Sequence, residues 1–97
     1  MRKLVWTKPA LTDLEAIHDY IAKDSEHYAK SFLQELISHT GKLLIFPEMG
    51  RVVPEYGRKD IRELIFQNYR IIYKLEENQA IVLAVIHGKR ELAQTGG

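Results

Sequence analysis

The sequence predicts an α+β fold in which an N-terminal helical hairpin packs on a twisted, mainly antiparallel sheet. Three observations carry that expectation. In the first half, apolar residues recur at spacings of three and four, the period of a helix with one buried face. In the second half, β-branched and aromatic runs alternate with short clusters of turn residues. Between the halves, residues 47–60 hold two prolines and two glycines, which interrupt both patterns and mark a connection.

The opening run Lys3-Leu4-Val5-Trp6-Thr7 is short and rich in β-branched and aromatic residues, which suits an edge or a central strand. Thr7 can cap the first helix, with Pro9 in the first turn, where its missing N–H is not needed. Ala10, Leu14, Ile17 and Ile21 form one apolar stripe on a helix running to about Lys23, and Asp13, Glu15 and Asp19 lie on its other face. Asp24-Ser25 restarts the chain as a second capped helix, whose stripe is Ala29, Phe32, Leu33, Leu36, Ile37, Leu43 and Leu44, closed by Pro47. Two amphipathic helices on so short a link make an antiparallel hairpin.

The connection that follows carries a short strand at Arg51–Val53. Ile61–Phe66 and Tyr69–Leu75 then flank Gln67-Asn68 as a β-hairpin; Asn tolerates the positive φ of a tight turn, whereas Gln is less apt at the first turn position and leaves the loop length open. After the turn residues Glu76-Glu77-Asn78-Gln79, the run from Ala80 to Ile86 is apolar on both faces, as expected of a central strand covered on both sides. The polar tail beyond Gly88 reads as a turn of helix with a frayed Thr-Gly-Gly end.

Composition bounds the function. At 97 residues the chain suits one domain, spanning 1–97, and its 45% hydrophobic and 28% charged content is that of a globular protein. With no cysteine it has neither a disulfide framework nor a thiolate metal site, and the cytoplasm is the expected compartment. Neither a signal-peptide stretch nor a membrane-spanning run is present. Fourteen Lys and Arg against thirteen Asp and Glu leave a formal charge of +1, less than a protein that grips RNA phosphates usually carries. His18, His27 and His39 stand apart from clustered carboxylates, so neither a metal site nor a cofactor is expected.

Several short motifs occur in a telling order: Phe46-Pro47, Gly50-Arg51, Val53-Pro54-Glu55, Arg62-Glu63-Leu64, Tyr69-Arg70-Ile71-Ile72-Tyr73 and Val85-Ile86-His87-Gly88-Lys89-Arg90. With Ile17-His18-Asp19-Tyr20-Ile21 and Ala29…Phe32 upstream, the series resembles the ParE branch of the RelE/ParE toxins, the plasmid-stabilising halves of type II toxin–antitoxin pairs. The likeness covers nearly the whole chain. It implies a helix–helix–sheet fold, a cognate antitoxin that wraps the toxin, and one of two targets, DNA gyrase or ribosome-bound mRNA.

RNA cleavage through a 2′-hydroxyl needs a base, cations for the phosphate and an acid for the leaving oxygen. RelE-type nucleases carry two lysines before the hairpin turn, an arginine in the following Tyr-Arg, an arginine after the last strand and a tail tyrosine. The resemblance places those lysines on Ile61 and Glu63, keeps the arginines as Arg70 and Arg90, and leaves a tail without Tyr or His. Other branches use a glutamate base and a late histidine, roles open to Glu63 and His87. Gyrase inhibition without chemistry is therefore the favoured expectation, with mRNA cleavage by Arg70, Arg90, Glu63 and His87 as the alternative.

The residues also admit plainer readings. A two-residue turn sets Arg70 opposite Ile65 and diagonal to Glu63, as a cross-strand ion pair of structural value. Arg62 falls opposite Tyr73, where its guanidinium can stack on the ring. His87 can simply hydrogen-bond at the end of its strand. Candidate target contacts are Arg51, Arg58, Arg62, Tyr69, Arg70, His87 and Arg90; Lys59 adds to the basic connection. Candidate antitoxin contacts are Trp6, Tyr20, Tyr28 and Tyr73, through the hairpin and the edge of the sheet.

Overall fold

Thr7 starts the first helix by two bonds: its hydroxyl accepts from the Ala10 N–H at 3.2 Å and donates to the Val82 carbonyl at 2.9 Å. One side chain therefore caps α1 (Lys8–Ala22) and ties it to the sheet. Ser25 caps α2 (Glu26–Thr40) in the same way, accepting from the Tyr28 N–H. The predicted second helix runs on to Leu44 only by tightening: Gly41–Leu44 is a 3-10 turn that keeps Leu43 buried and turns Leu44 outward. The structure is a computed structural model that describes residues 2–88; the expectations for Arg90 and for the polar tail lie outside the described residues.

Five strands complete the fold: β1 (Lys3–Trp6), β2 (Arg51–Val52), β3 (Ile61–Phe66), β4 (Tyr69–Leu75) and β5 (Gln79–His87), in the spatial order β1-β5-β4-β3-β2. β1 is an edge strand parallel to β5, and the other pairings are antiparallel. The β3–β4 turn is the two-residue Gln67-Asn68 turn, with Gln67 itself at φ 50°. Phe66 accordingly faces Tyr69, and Ile65 faces Arg70.

The helices cover one face of the sheet. Leu14, Ile17, Phe32, Leu36 and Leu43 pack there on Leu64, Ile71, Tyr73, Val82 and Val85. A smaller cluster of Val53, Ile61 and Ile72, flanked by Leu83 and Ala84, lies on the opposite face beneath the connection. β5 is central, as expected, yet it is not covered equally: Ala80, Val82 and Val85 are buried, while Ile81, Leu83, Ala84 and Ile86 are half-buried. The connection spans too little of the outer face to cover the strand. The β4–β5 ladder also slips between Ile72 and Tyr73, a bulge that lets both Val82 and Val85 reach the helix side. Asp13, expected to face solvent, accepts from the Val85 N–H at 2.9 Å and so ties α1 to the bulged strand. No helix among the described residues is long and apolar enough to cross a membrane.

Gly50 anchors the connection. A Cβ there would stand 2.6 Å from both the Glu63 carbonyl oxygen and the Tyr73 hydroxyl, so only glycine fits. Tyr73, expected as an antitoxin contact, is fully buried instead: its hydroxyl accepts from the Gly50 N–H at 3.0 Å and donates to the Pro47 carbonyl at 2.9 Å. Burial pushes this phenol above its ordinary pKa.

Candidate functional site

The hairpin register places Glu63, Ile65, Arg70 and Ile72 on the outer face of the sheet. β2 lays Arg51 directly opposite Glu63. The Val53-Pro54-Glu55 stretch then brings Glu55 over β4. The result is a chain of four charges, Arg51–Glu63–Arg70–Glu55. Glu63 is 1% exposed and its two oxygens are divided between two arginines, Oε2 with the Arg51 Nε and Oε1 with the Arg70 Nε at 2.5 Å. Arg70 donates Nη1 and Nη2 to the two Glu55 oxygens, each at 2.9 Å, in a bidentate fork. The two carboxylates, Glu55 first, hold the guanidinium pKa above its ordinary value against the opposing effect of burial.

Beside this chain lies an open groove of about 800 Å³, lined by Arg51, Pro54, Glu55, Ile65, Gln67, Asn68, Tyr69, Arg70, His87 and Gly88. Tyr69 and His87 face each other across the β4–β5 pairing, with ring centroids 5.6 Å apart in an edge-to-face contact. Tyr69 also packs on Phe32, 5.7 Å away, which connects the groove to the helices. Burial, with Tyr20 nearby, raises the Tyr69 pKa. A neighbouring notch adds Tyr20 to Asn68, Tyr69 and His87.

The candidate target residues thus divide. Arg51, Tyr69, Arg70 and His87 line one groove. Arg58 does not join them; it makes a bidentate pair with Asp60 at 3.0 and 2.7 Å, which lowers the Asp60 carboxyl pKa. Arg62 does not stack on Tyr73 as anticipated, since its guanidinium donates to the Lys59 and Gly50 carbonyls, both at 3.0 Å. Of the candidate antitoxin contacts, Tyr20 and Tyr28 are 70% and 52% exposed on the hairpin, and Trp6 is half-buried against the core. The residue that sequence reasoning missed is Glu55. It sits in irregular backbone after Pro54, where no periodicity assigns a face; its signals were its place in the Val53-Pro54-Glu55 motif and a carboxylate close to three basic residues.

Comparison with known proteins agrees with this architecture. A family model described as the ParE toxin of type II toxin-antitoxin system, parDE, matches residues 4–92. The chain is 32% identical over 91 residues to Toxin RelE2 of Caulobacter vibrioides, an alignment that spans 93% of this chain and 99% of that protein. A solved structure described as a chromosomal ParDE TA system from P. aeruginosa superimposes with a TM-score of 0.76 at 21% identity, covering 90% of this chain and 96% of that one. At that identity the likeness speaks for the fold, two helices against a five-stranded, mostly antiparallel open sheet. With the family model spanning both helices and, but for Lys3, all five strands, the chain belongs to the ParE toxin family of type II toxin–antitoxin systems.

Proposed function

We propose that the chain acts on its target by binding rather than by cutting RNA, that the target is DNA gyrase, and that growth arrest follows. A toxin of this class has a cognate antitoxin as partner, and the proposal concerns what that partner restrains. The observation that carries the reading is the burial of Glu63 and Arg70 at the centre of the Arg51–Glu63–Arg70–Glu55 chain. A general base must reach the hydroxyl it deprotonates. Glu63 is 1% exposed with an arginine on each oxygen, a poor position from which to meet a substrate. Arg70, the residue expected to meet a scissile phosphate, has its charge balanced by two carboxylates. The groove supplies contact surface instead, with Ile65, Tyr69 and His87 beside the Gln67-Asn68 turn.

Purified toxin added to gyrase and relaxed plasmid tests the proposal. Supercoiling should fall as toxin is added and recover when the antitoxin is supplied; undiminished supercoiling at a large molar excess refutes it. The second reading, ribosome-dependent mRNA cleavage, draws on the pairing of Tyr69 and His87 at the groove, since a ring and an imidazole side by side can stack on a base and move a proton. It requires mapped cuts in translated messages that disappear with His87→Ala. Intact transcripts in arrested cells would eliminate it.

A further inference from the structure

The arginines of this chain are used unequally. Arg58 and Arg70 each grip a carboxylate with two nitrogens, and Arg2 and Arg62 spend terminal nitrogens on backbone carbonyls. Arg51 bonds Glu63 through Nε alone, so it is the one arginine among the described residues whose Nη1 and Nη2 both lack a protein partner. Its side chain is 66% exposed, whereas that of Glu63 is fully buried. The buried carboxylate therefore holds one edge of the guanidinium and leaves free the fork that fits a second carboxylate. Arg51 forms a wall of the groove that runs from β2 to the end of β5, and Ile65, 49% exposed, gives that groove an apolar surface.

We propose that this groove takes a short acidic segment of the target protein, with an Asp or Glu carboxylate on the Arg51 fork and a neighbouring apolar side chain on Ile65. The proposal rests on the reading of the chain as a toxin that binds its target, and it names the chemistry of what is bound. The groove already holds one contact of this kind. Glu55 lays its two oxygens on Arg70 at 2.9 Å each, the geometry that a carboxylate from outside would repeat on Arg51. From β2 to β5 is three interstrand steps, ~14 Å, the reach of about four or five extended residues. Gln67 and Asn68 are exposed in the turn that borders the groove, and their side-chain amides can pair with the backbone N–H and C=O of an extended segment, groups that a helix satisfies internally. A nucleic acid fits less well, because one outward guanidinium beside two carboxylates, on a chain of formal charge +1, is too little base for a run of phosphates.

The test combines gyrase supercoiling assays on the full chain with NMR titration by two peptides of about eight residues, alike but for Glu against Gln beside a Leu. The Glu peptide should shift the amide signals of Ile65, Gln67 and Asn68 and bind at least about five-fold tighter than the Gln peptide, a gap that closes as salt rises from about 0.05 to about 0.5 M. Arg51→Gln should raise the toxin needed for half-inhibition by about ten-fold and remove the difference between the peptides. Arg51→Lys keeps a charge beside Glu63 but not the fork, so its urea midpoint should stay nearer wild type than that of Arg51→Gln while inhibition still falls. Inhibition lost only in step with stability would make Arg51 structural and overturn the proposal. So would a Glu peptide that binds no tighter than the Gln peptide, or undiminished inhibition by a folded Arg51→Gln chain. An oligonucleotide that displaces the Glu peptide would assign the groove to phosphates, and concentration-dependent dimers lost in Arg51→Gln would assign it to a second copy. Antitoxin affinity that falls in parallel with inhibition would assign Arg51 to that partner. Each of these overturns the proposal while leaving gyrase as the target. A wild-type chain that leaves supercoiling undiminished at a large excess strikes the target reading itself, and the proposal falls with it.

Discussion

Replacing Arg70 by Met should cost about 3 kcal/mol, because it breaks a buried ionic chain from the middle. Arg70 is 6% exposed and Glu63 1%, so neither can recover a lost bond by turning to water. Removing one partner of a buried pair costs ~3–5 kcal/mol, most of it from the charge left behind. Two features pull this case to the low end. Glu63 keeps Arg51 on its Oε2, and the Glu55 side chain, 14% exposed, lies close enough to the surface to gain some solvation. For a domain of this size the loss corresponds to a fall in Tm on the order of 15 °C. Urea unfolding followed by far-UV circular dichroism reads it directly, as a lower midpoint at unchanged slope.

The double variant Glu63→Leu with Arg70→Met sharpens the test. If burial of unpaired charge is the cost, removing both charges should destabilise less than Arg70→Met alone, since apolar replacements of buried pairs are often neutral. Simple addition of the two single effects would contradict that account. So would an Arg70→Met chain that loses less than about 1 kcal/mol. A chain of undiminished stability that no longer inhibits its target would be the most damaging result, because it would make Arg70 a contact residue rather than a structural one.

Further expectations follow from the same geometry. Gly50→Ala should destabilise by about 1–3 kcal/mol in thermal melts, because its Cβ would meet the Glu63 carbonyl oxygen and the Tyr73 hydroxyl, both held by neighbours. Thr7→Val should cost about 1 kcal/mol by removing the α1 cap, and hydrogen exchange should quicken in the first turn of that helix; unchanged protection there would count against the capping role. The His18 pKa is raised above 6.5 by bonds to Asp19 and Glu26, so its protonated form favours the fold. That contribution is complete below the unfolded value near 6.5 and is lost as pH rises through the folded value; the advantage of wild type over His18→Gln in urea should therefore shrink from pH 6 to pH 8. An advantage that grew over that window would reverse the assigned sign. Ile65→Glu, at a half-exposed groove position, should leave the urea midpoint close to wild type and weaken target inhibition.

The parts of this molecule that were readable in advance are those governed by a period. Helical spacing located α1 and α2, and the Gln67-Asn68 turn set the register that brings Arg70 diagonal to Glu63. From that register the ion pair could be foreseen. What escaped the sequence lies where period fails. Glu55 reaches Arg70 from coil, so no counting of residues assigns it a direction. Tyr73 stands on the helix side of β4 with Ile71, and its buried hydroxyl is explained only by Pro47 and Gly50, which the connection folds back against it. The bulge beside Tyr73 reverses the alternation of β5 and recruits Asp13, a step that binary patterning cannot express.

The role of Arg70 follows from the connection that faces it more than from the strand that carries it. Its place after Tyr69 is the place where RelE-type nucleases hold an arginine, so β4 alone would offer it to a phosphate. Residues 47–60 change its surroundings. Gly50 allows close approach to β3, Arg51 pairs beside Glu63, and Glu55 closes the fork over the guanidinium. A charge that would otherwise seek an anionic ligand is balanced inside the protein, at the cost of desolvating Glu63 and Arg70 and most of Glu55, and that cost is offset only while the buried partners remain together. The same scaffold can therefore serve chemistry or binding according to what a single irregular connection presents to one strand. In this chain the connection adds the Glu55 carboxylate to the Glu63 that β3 supplies, and it is on the balance of those charges that the binding reading rests.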